Sequence, residues 1–335
     1  MRTKALELYG TLGPACAREN ILEGMFRAGM TGMRVNLSHM TLDQARPWIE
    51  IMHRAAARCG LEPDLLADLQ GPEVRVGKLP APLALETGET VALDALLLPL
   101  PLREMLAPGQ EILLDDGKLL LETLDRDRAK ILRGGTLLPR KSAAVPGLTL
   151  TLPPLTPEDE DNLRRAEELG VTGVMQSFVR GREDVLALRS ALCRCGCKGI
   201  RLYAKVENRL GLETLPQWID LADCIVIARG DLGNAIPLTR LPAAQKAIAG
   251  LAKERGKPFL VVTQLLASME HSAVPTRAEV SDIYNAVLDG ASALMLTGET
   301  AGGAFPREAM EVLCRTAQGA WNDREHKGET NYGLY

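Results

Sequence analysis

Eight β-rich runs alternating with stretches of helical period, polar residues gathered just past the ends of those runs, and one hairpin-rich interval after the third run predict an α/β protein. The expected form is a closed (β/α)8 TIM barrel with a small all-β domain inserted after strand 3. The chain has 335 residues and is 46% hydrophobic, enough for one large barrel with an insert. The predicted strands are 5–12, 32–37, 64–69, 173–178, 201–206, 224–228, 258–263 and 293–297. Helical stretches at 42–58, 157–169, 182–192, 242–255 and 276–288 lie between them, several opened by the Thr or Pro that starts a helix. An open doubly wound sheet is the alternative that periodicity alone leaves standing, and the count of eight units favours closure.

The rhythm breaks once. Between 73 and 146 the runs 89–93 and 111–114, the turn Asp115-Asp116-Gly117 and the run 118–124 read as β-hairpins. The expected domains are therefore a first barrel part at 1–72, a β-barrel-like lid at 73–146 and a second barrel part at 147–335.

A net charge of −4 spreads no cationic field over the surface, so nucleic acid and anionic lipid are not expected partners, and any phosphate must be met by local groups. No apolar run reaches the ~18 residues of a membrane span, and Met1-Arg2-Thr3-Lys4 leads into no signal-peptide core. A cytoplasmic protein off the membrane is expected. Seven cysteines, an odd number, fit free thiols in a reducing compartment. Cys193, Cys195 and Cys197 are spaced too tightly for the usual zinc C-x2-C and have no second pair nearby, so they read as an exposed helix-to-strand loop.

Chemistry in such a barrel sits just past the C-terminal strand ends. On the fifth strand, alternation sends Leu202, Ala204 and Val206 toward the helices and Tyr203, Lys205 and Glu207 into the barrel. For an isolated Lys-x-Glu the plainer reading is a buried ion pair that fills the interior. Asp231, at the end of the sixth strand, changes that: two carboxylates from adjacent strands can hold Mg2+ or Mn2+ while waters and substrate oxygens complete the shell. Lys205 would then face the anion bound there. Gly230-Asp231-Leu232-Gly233 lets a ligand approach the backbone, although alone it is only a turn. Arg34 offers a bidentate phosphate partner, and Asn36, Ser38 and Asp68 offer oxygens to a hard monovalent cation; taken singly, Ser38 reads more plainly as a turn cap.

In their order along nearly the whole chain, these residues resemble the pyruvate kinase family. The blocks that carry the resemblance are Gly32-Met33-Arg34-Val35-Asn36-Leu37-Ser38-His39, Gly71-Pro72-Glu73-Val74-Arg75, Ala204-Lys205-Val206-Glu207-Asn208, Ile227-Ala228-Arg229-Gly230-Asp231-Leu232-Gly233 and Pro275-Thr276-Arg277-Ala278-Glu279. The resemblance implies transfer of the phosphoryl group of phosphoenolpyruvate to ADP, giving pyruvate and ATP, with Mg2+ (or Mn2+) and K+. It implies Glu207 and Asp231 as divalent-metal ligands, and Asn36, Ser38, Asp68 and the Leu69 carbonyl as the K+ site, with Glu73 matching the K+-dependent form. Lys205 and Arg34 would serve the phosphoryl group. Gly230, Asp231 and Thr263 would receive the substrate carboxylate, and Thr297 and Glu299 would serve enolate protonation. Thr11, Pro14, His39, Arg75 and Lys141 would meet the nucleotide.

The departures lie on the nucleotide side. Leu69-Gln70 stands where the family has Thr-Lys, and Arg140-Lys141-Ser142-Ala143-Ala144-Val145-Pro146-Gly147 is a loose match to the lid's closing segment. The match stops after the eighth barrel helix, so the resemblance implies that the C-terminal regulatory domain is absent and that a homodimer forms through the barrel face. Two other readings stay open: a barrel enzyme that keeps the metal and enolate chemistry on another phosphoryl acceptor or 2-oxo acid, and a non-catalytic relative that senses phosphoenolpyruvate. The presence of Lys205, Glu207 and Asp231 argues against the last.

Overall fold

The computed structural model describes residues 6–115, 117–148, 152–197 and 199–325, so Ala5 of the first predicted strand and Asp116 of the predicted hairpin turn lie outside the described residues. Eight parallel strands close into a barrel: Glu7–Thr11, Gly32–Asn36, Asp64–Asp68, Gly173–Gln176, Arg201–Val206, Cys224–Ala228, Phe259–Val262 and Ala293–Met295. Each pairs with the next along the chain, and the eighth pairs with the first. All stay inside their predicted runs. Where one stops short, the leftover residues build the mouth: Phe178 and Thr263 adopt positive φ of 53° and 74°, which no ladder accommodates.

Closure follows from strands that are apolar on both faces. Tyr9, Leu66, Met175, Tyr203, Val226, Leu260 and Met295 fill the barrel interior. Their neighbours along the chain, such as Leu65, Val174, Leu202, Ile225, Val261 and Leu294, pack outward under the helices. The fifth strand alternates as predicted, with Leu202, Ala204 and Val206 outside and Tyr203 inside.

Three of the surrounding helices open on a capping box: Thr41 with Gln44 before Leu42–Arg58, Thr156 with Asp159 before Pro157–Ala166, and Thr276 with Glu279 before Arg277–Leu288. Among the described residues no helix is long and apolar enough to cross a membrane. The cysteine cluster departs from its expectation. Helix Arg182–Arg194 runs past its predicted end and takes in the exposed Cys193, whereas Cys197 is buried and its Sγ donates to the Leu163 carbonyl at 3.3 Å. The loop is drawn inward because Cys197 packs with Leu163 and Leu192 under the barrel wall.

The interval after the third strand folds into a five-stranded antiparallel sheet and a two-stranded one around its own core of Val76, Leu85, Leu93, Ile112, Leu121, Ile131 and Leu137. Its strands pair as hairpins, Glu111–Leu114 with Leu119–Thr123 among them, and one short helix, Leu100–Met105, is added to them. The Gly117 end of that hairpin reaches the barrel mouth, where a Cβ on Gly117 would lie 3.4 Å from Asn234 Oδ1.

Candidate functional site

The fifth strand delivers Lys205 to the centre of the mouth. Its Nζ lies 2.8 Å from Glu207 Oε1 and 3.1 Å from Asp68 Oδ1, and donates to Ser177 Oγ at 3.0 Å. Asp68, at the end of the third strand, also accepts from Arg34 Nε at 2.6 Å. Four predicted residues from three strands are thus brought into one buried charge cluster. Two carboxylates face two cations, which is how so much charge is held away from water. Burial alone would pull the Lys205 ammonium down, but Asp68 and Glu207 outweigh it and hold its pKa above the ordinary lysine value. Burial likewise pushes Asp68 up, and Lys205 and Arg34 reverse it, so Asp68 titrates below an ordinary aspartate.

Ser177 carries no role in the sequence reading. Its hydroxyl donates to the Leu69 carbonyl at 2.7 Å and accepts from Lys205, joining the third, fourth and fifth strand ends. Glu207 Oε2 accepts the Phe178 N–H at 2.7 Å, which holds that carboxylate from its other side.

At the sixth strand's end the helix Arg229–Ala235 carries Gly230 and Asp231. The Gly230 N–H donates to Thr263 Oγ1 at 2.7 Å, so the structure pairs these two predicted carboxylate-binding groups with each other. Thr263 and Gln264 both sit at positive φ, 74° and 53°. Arg229, also unassigned from sequence, explains how the strain is held: its buried guanidinium donates to the Thr263 carbonyl at 2.8 Å and the Gln264 carbonyl at 3.0 Å, and pairs with Asp282 Oδ2 at 2.5 Å. A cation just before Gly-Asp is visible in the sequence. That it turns across to the seventh strand is a tertiary fact.

At the eighth strand's end Glu299 is almost fully buried, 1% exposed, with both oxygens in use. Oε2 accepts from the Thr297 N–H at 2.7 Å and the Thr297 hydroxyl at 3.2 Å, while Oε1 accepts from the Leu266 N–H at 3.1 Å. Glu299 therefore orients Thr297 and ties the eighth strand end to the seventh.

The residues predicted on the nucleotide side are less gathered. Thr11 is buried, its hydroxyl donating to the Leu296 carbonyl and accepting from Arg34, so it faces Arg34 from beneath; Pro14 and His39 are exposed. Arg75 pairs with Glu73 at 2.7 Å and donates to the Arg140 carbonyl, and Lys141 pairs with Asp115 at 2.8 Å. Burial raises the Glu73 carboxyl above its usual range against the pull of Arg75. Gln70 is half-buried and holds its turn through its backbone N–H.

Between the insert and the mouth lies a cavity of about 490 Å3 whose lining includes Glu73, Phe178, Arg180, Glu207 and Asp231. Among the described residues no group of three or more His, Cys, Asp or Glu side chains is placed to hold a metal ion. Two carboxylates opening on one cavity match the donor set of a divalent cation that keeps waters and substrate oxygens for its other positions. Asn36 and Asp68 are register partners on adjacent strands, and with Ser38 and the Leu69 carbonyl they give an oxygen-only set suited to a hard monovalent cation. The Ser38 hydroxyl donates to Glu73 at 3.4 Å, which places that carboxylate beside the same group.

The family model described as pyruvate kinase, barrel domain, matches residues 3–310. Among curated proteins the chain is 36% identical over 325 residues to the pyruvate kinase of Aeropyrum pernix, covering 94% of this chain and 71% of that protein. It is 38% identical over 332 residues to one from Agrobacterium vitis, covering 92% and 67%. It is 35% identical over 328 residues to that of Mycobacterium tuberculosis, covering 93% and 69%.

Proposed function

This chain belongs to the pyruvate kinase family, and we propose that it transfers the phosphoryl group of phosphoenolpyruvate to ADP, releasing pyruvate and ATP. The single observation that best supports this reading is the cluster of Lys205, Asp68, Arg34 and Glu207 beside the cavity that Glu207 shares with Asp231.

On this reading Glu207 and Asp231 would hold Mg2+ or Mn2+, which when bound supplies charge neutralisation for the phosphoryl group. Asn36, Ser38, Asp68 and the Leu69 carbonyl would hold K+, beside Glu73. Arg34 binds the phosphoryl oxygens. Lys205, kept fully protonated by its carboxylate partners, stabilises the charge that builds on the enol oxygen as its bond to phosphorus breaks. The Thr263 hydroxyl and the Gly230-Asp231 backbone receive the substrate carboxylate. Thr297, held by Glu299, stands on the path of the proton that the enolate carbon must gain to become pyruvate. Thr11, Pro14, His39, Arg75 and Lys141 would serve ADP, as the resemblance implies.

The half-buried neutral amide of Gln70, where the resemblance leads one to expect a cation, favours a second reading in which the same enolate chemistry serves another phosphoryl acceptor. Purified protein given phosphoenolpyruvate, Mg2+ and K+ with ADP, GDP or inorganic phosphate in parallel, and followed for pyruvate release, separates the two. Turnover with ADP well above the other arms supports the first reading. Turnover only with another acceptor supports the second, and phosphoenolpyruvate binding without any turnover overturns both.

A further inference from the structure

Asp159 does more than cap its helix. As the third residue of helix Pro157–Ala166 it completes the capping box by accepting the Thr156 N–H at 2.8 Å, which uses one acceptor position of a carboxylate that has about four. The remaining capacity is spent outside the helix. Oδ1 accepts the Gln70 N–H at 2.9 Å and Oδ2 accepts the Gly71 N–H at 3.0 Å, two successive amides almost ninety positions earlier in the chain. The carboxylate is 1% exposed, so nothing in solvent replaces these bonds.

The location gives the bonds their meaning. The chain leaves the barrel for the insert just after Gln70-Gly71 and re-enters it just before Thr156-Pro157, so one carboxylate ties the exit to the return. The same turn follows directly on Asp68 and Leu69. The Leu69 carbonyl accepts from Ser177, whose Oγ accepts from Lys205, and Asp68 accepts from both Lys205 and Arg34. Gly71 has a φ of 60°, and a Cβ there would lie 3.1 Å from the Ser177 carbonyl, so the turn is pressed against the fourth strand end with no room to drift.

We propose that Asp159 is a positioning residue for phosphoryl transfer: it fixes the 69–71 turn, and through it Asp68, Ser177 and Lys205, while pinning both crossings to the insert at one point. The proposal rests on the phosphotransferase reading for its catalytic consequence and on geometry alone for the clamp, and the experiment reads the two separately. Asp159→Asn offers one oxygen where three N–H groups converge and turns an NH2 toward one of them. Thr156→Ala serves as the matched control, because it removes the side-chain cap yet leaves the Asp159 bonds to Gln70 and Gly71 in place.

Hydrogen–deuterium exchange, melting temperature, kcat and both KM values would be measured on the two variants and on the unaltered protein. Asp159→Asn is expected to speed exchange of the Gln70 and Gly71 amides about tenfold or more and to lower kcat about tenfold or more. Thr156→Ala is expected to lower the melting temperature while keeping kcat within about twofold. The proposal is overturned by Asp159→Asn that exchanges and turns over like the unaltered protein, or by Thr156→Ala that loses kcat equally. An inactive unaltered protein refutes the phosphotransferase reading and leaves the exchange result to decide the clamp. If Asp159→Asn does not fold, Gly71→Ala displaces the same turn from its other side; unchanged kcat with faster exchange there overturns the proposal, and a comparable loss supports it.

Discussion

Lys205 Nζ lies 2.8 Å from Oε1 of Glu207, two positions on and just past the end of the strand that carries Lys205. Both are buried, so neither charge is tolerated without the other, and Asp68 and Arg34 complete a balanced set. The consequence is a lysine that stays charged and immobile beside a carboxylate reaching the cavity.

Glu207→Gln and Asp231→Asn should each weaken Mn2+ binding by about tenfold or more, read from the loss of free-ion paramagnetic signal on titration. The two differ in stability. Glu207→Gln unbalances the buried cluster and should lower the melting temperature further than Asp231→Asn, whose carboxylate is only half-buried. Equal Mn2+ affinity in the variants and the unaltered protein would remove these two carboxylates from the metal site.

Arg229→Lys keeps the charge but loses the planar fork that reaches two carbonyls and Asp282 at once. It should cost about 2–3 kcal/mol in urea unfolding. It should also raise the KM for phosphoenolpyruvate more than that for ADP, because Thr263 loses its support. A stable variant with both KM values unchanged contradicts the role given to the left-handed pair Thr263 and Gln264.

Glu279 gives a pH signature. Burial pushes its carboxyl up, but hydrogen bonds from Ser268 and Thr276, 2.6 Å from the Ser268 hydroxyl, reverse that and leave its pKa below an ordinary glutamate. A folded-state pKa lowered in this way contributes stability that is present above the unfolded value of about 4.3 and is lost as pH falls through the folded value. Glu279→Gln should therefore melt lower than the unaltered protein at pH 7, with the gap closing toward pH 3. A gap that is constant across that range would contradict the assignment.

Gln70→Lys should lower the KM for ADP about fivefold, the worth of roughly 1 kcal/mol from one added cation near a phosphate. The KM for phosphoenolpyruvate should stay unchanged. Steady-state kinetics at fixed Mg2+ reads both, and an unaltered ADP KM would place position 70 away from the acceptor.

The barrel was legible because its strands are apolar on both faces and its helices carry their own start signals, such as Thr41, Thr156 and Thr276. The inward pair Lys205 and Glu207 followed from alternation alone. What alternation could not say was where long side chains turn after leaving the strand. Arg229 reads locally as part of a Gly-Asp turn, yet its guanidinium serves the next strand. Asp159 stands locally as the third residue of its helix, closing a capping box with Thr156, yet two of the three N–H groups its carboxylate accepts belong to residues 70 and 71. Thr11 reads as a mouth residue from its place at the strand end, yet it is buried, its hydroxyl spent on the Leu296 carbonyl and on Arg34. The insert's strands were readable from hairpin turns, while its short helix at Leu100–Met105 is too brief to leave a period.

On the proposed reading Lys205 stabilises the charge built up in phosphoryl transfer. That role is tested most directly by comparing the unaltered protein with Lys205→Met for pyruvate release from phosphoenolpyruvate and ADP, with circular dichroism to establish that both are folded. ADP-dependent turnover is expected in the unaltered protein, and a loss of about a hundredfold or more in kcat in the variant, with phosphoenolpyruvate still bound. A folded Lys205→Met that releases pyruvate at the unaltered rate would contradict that role.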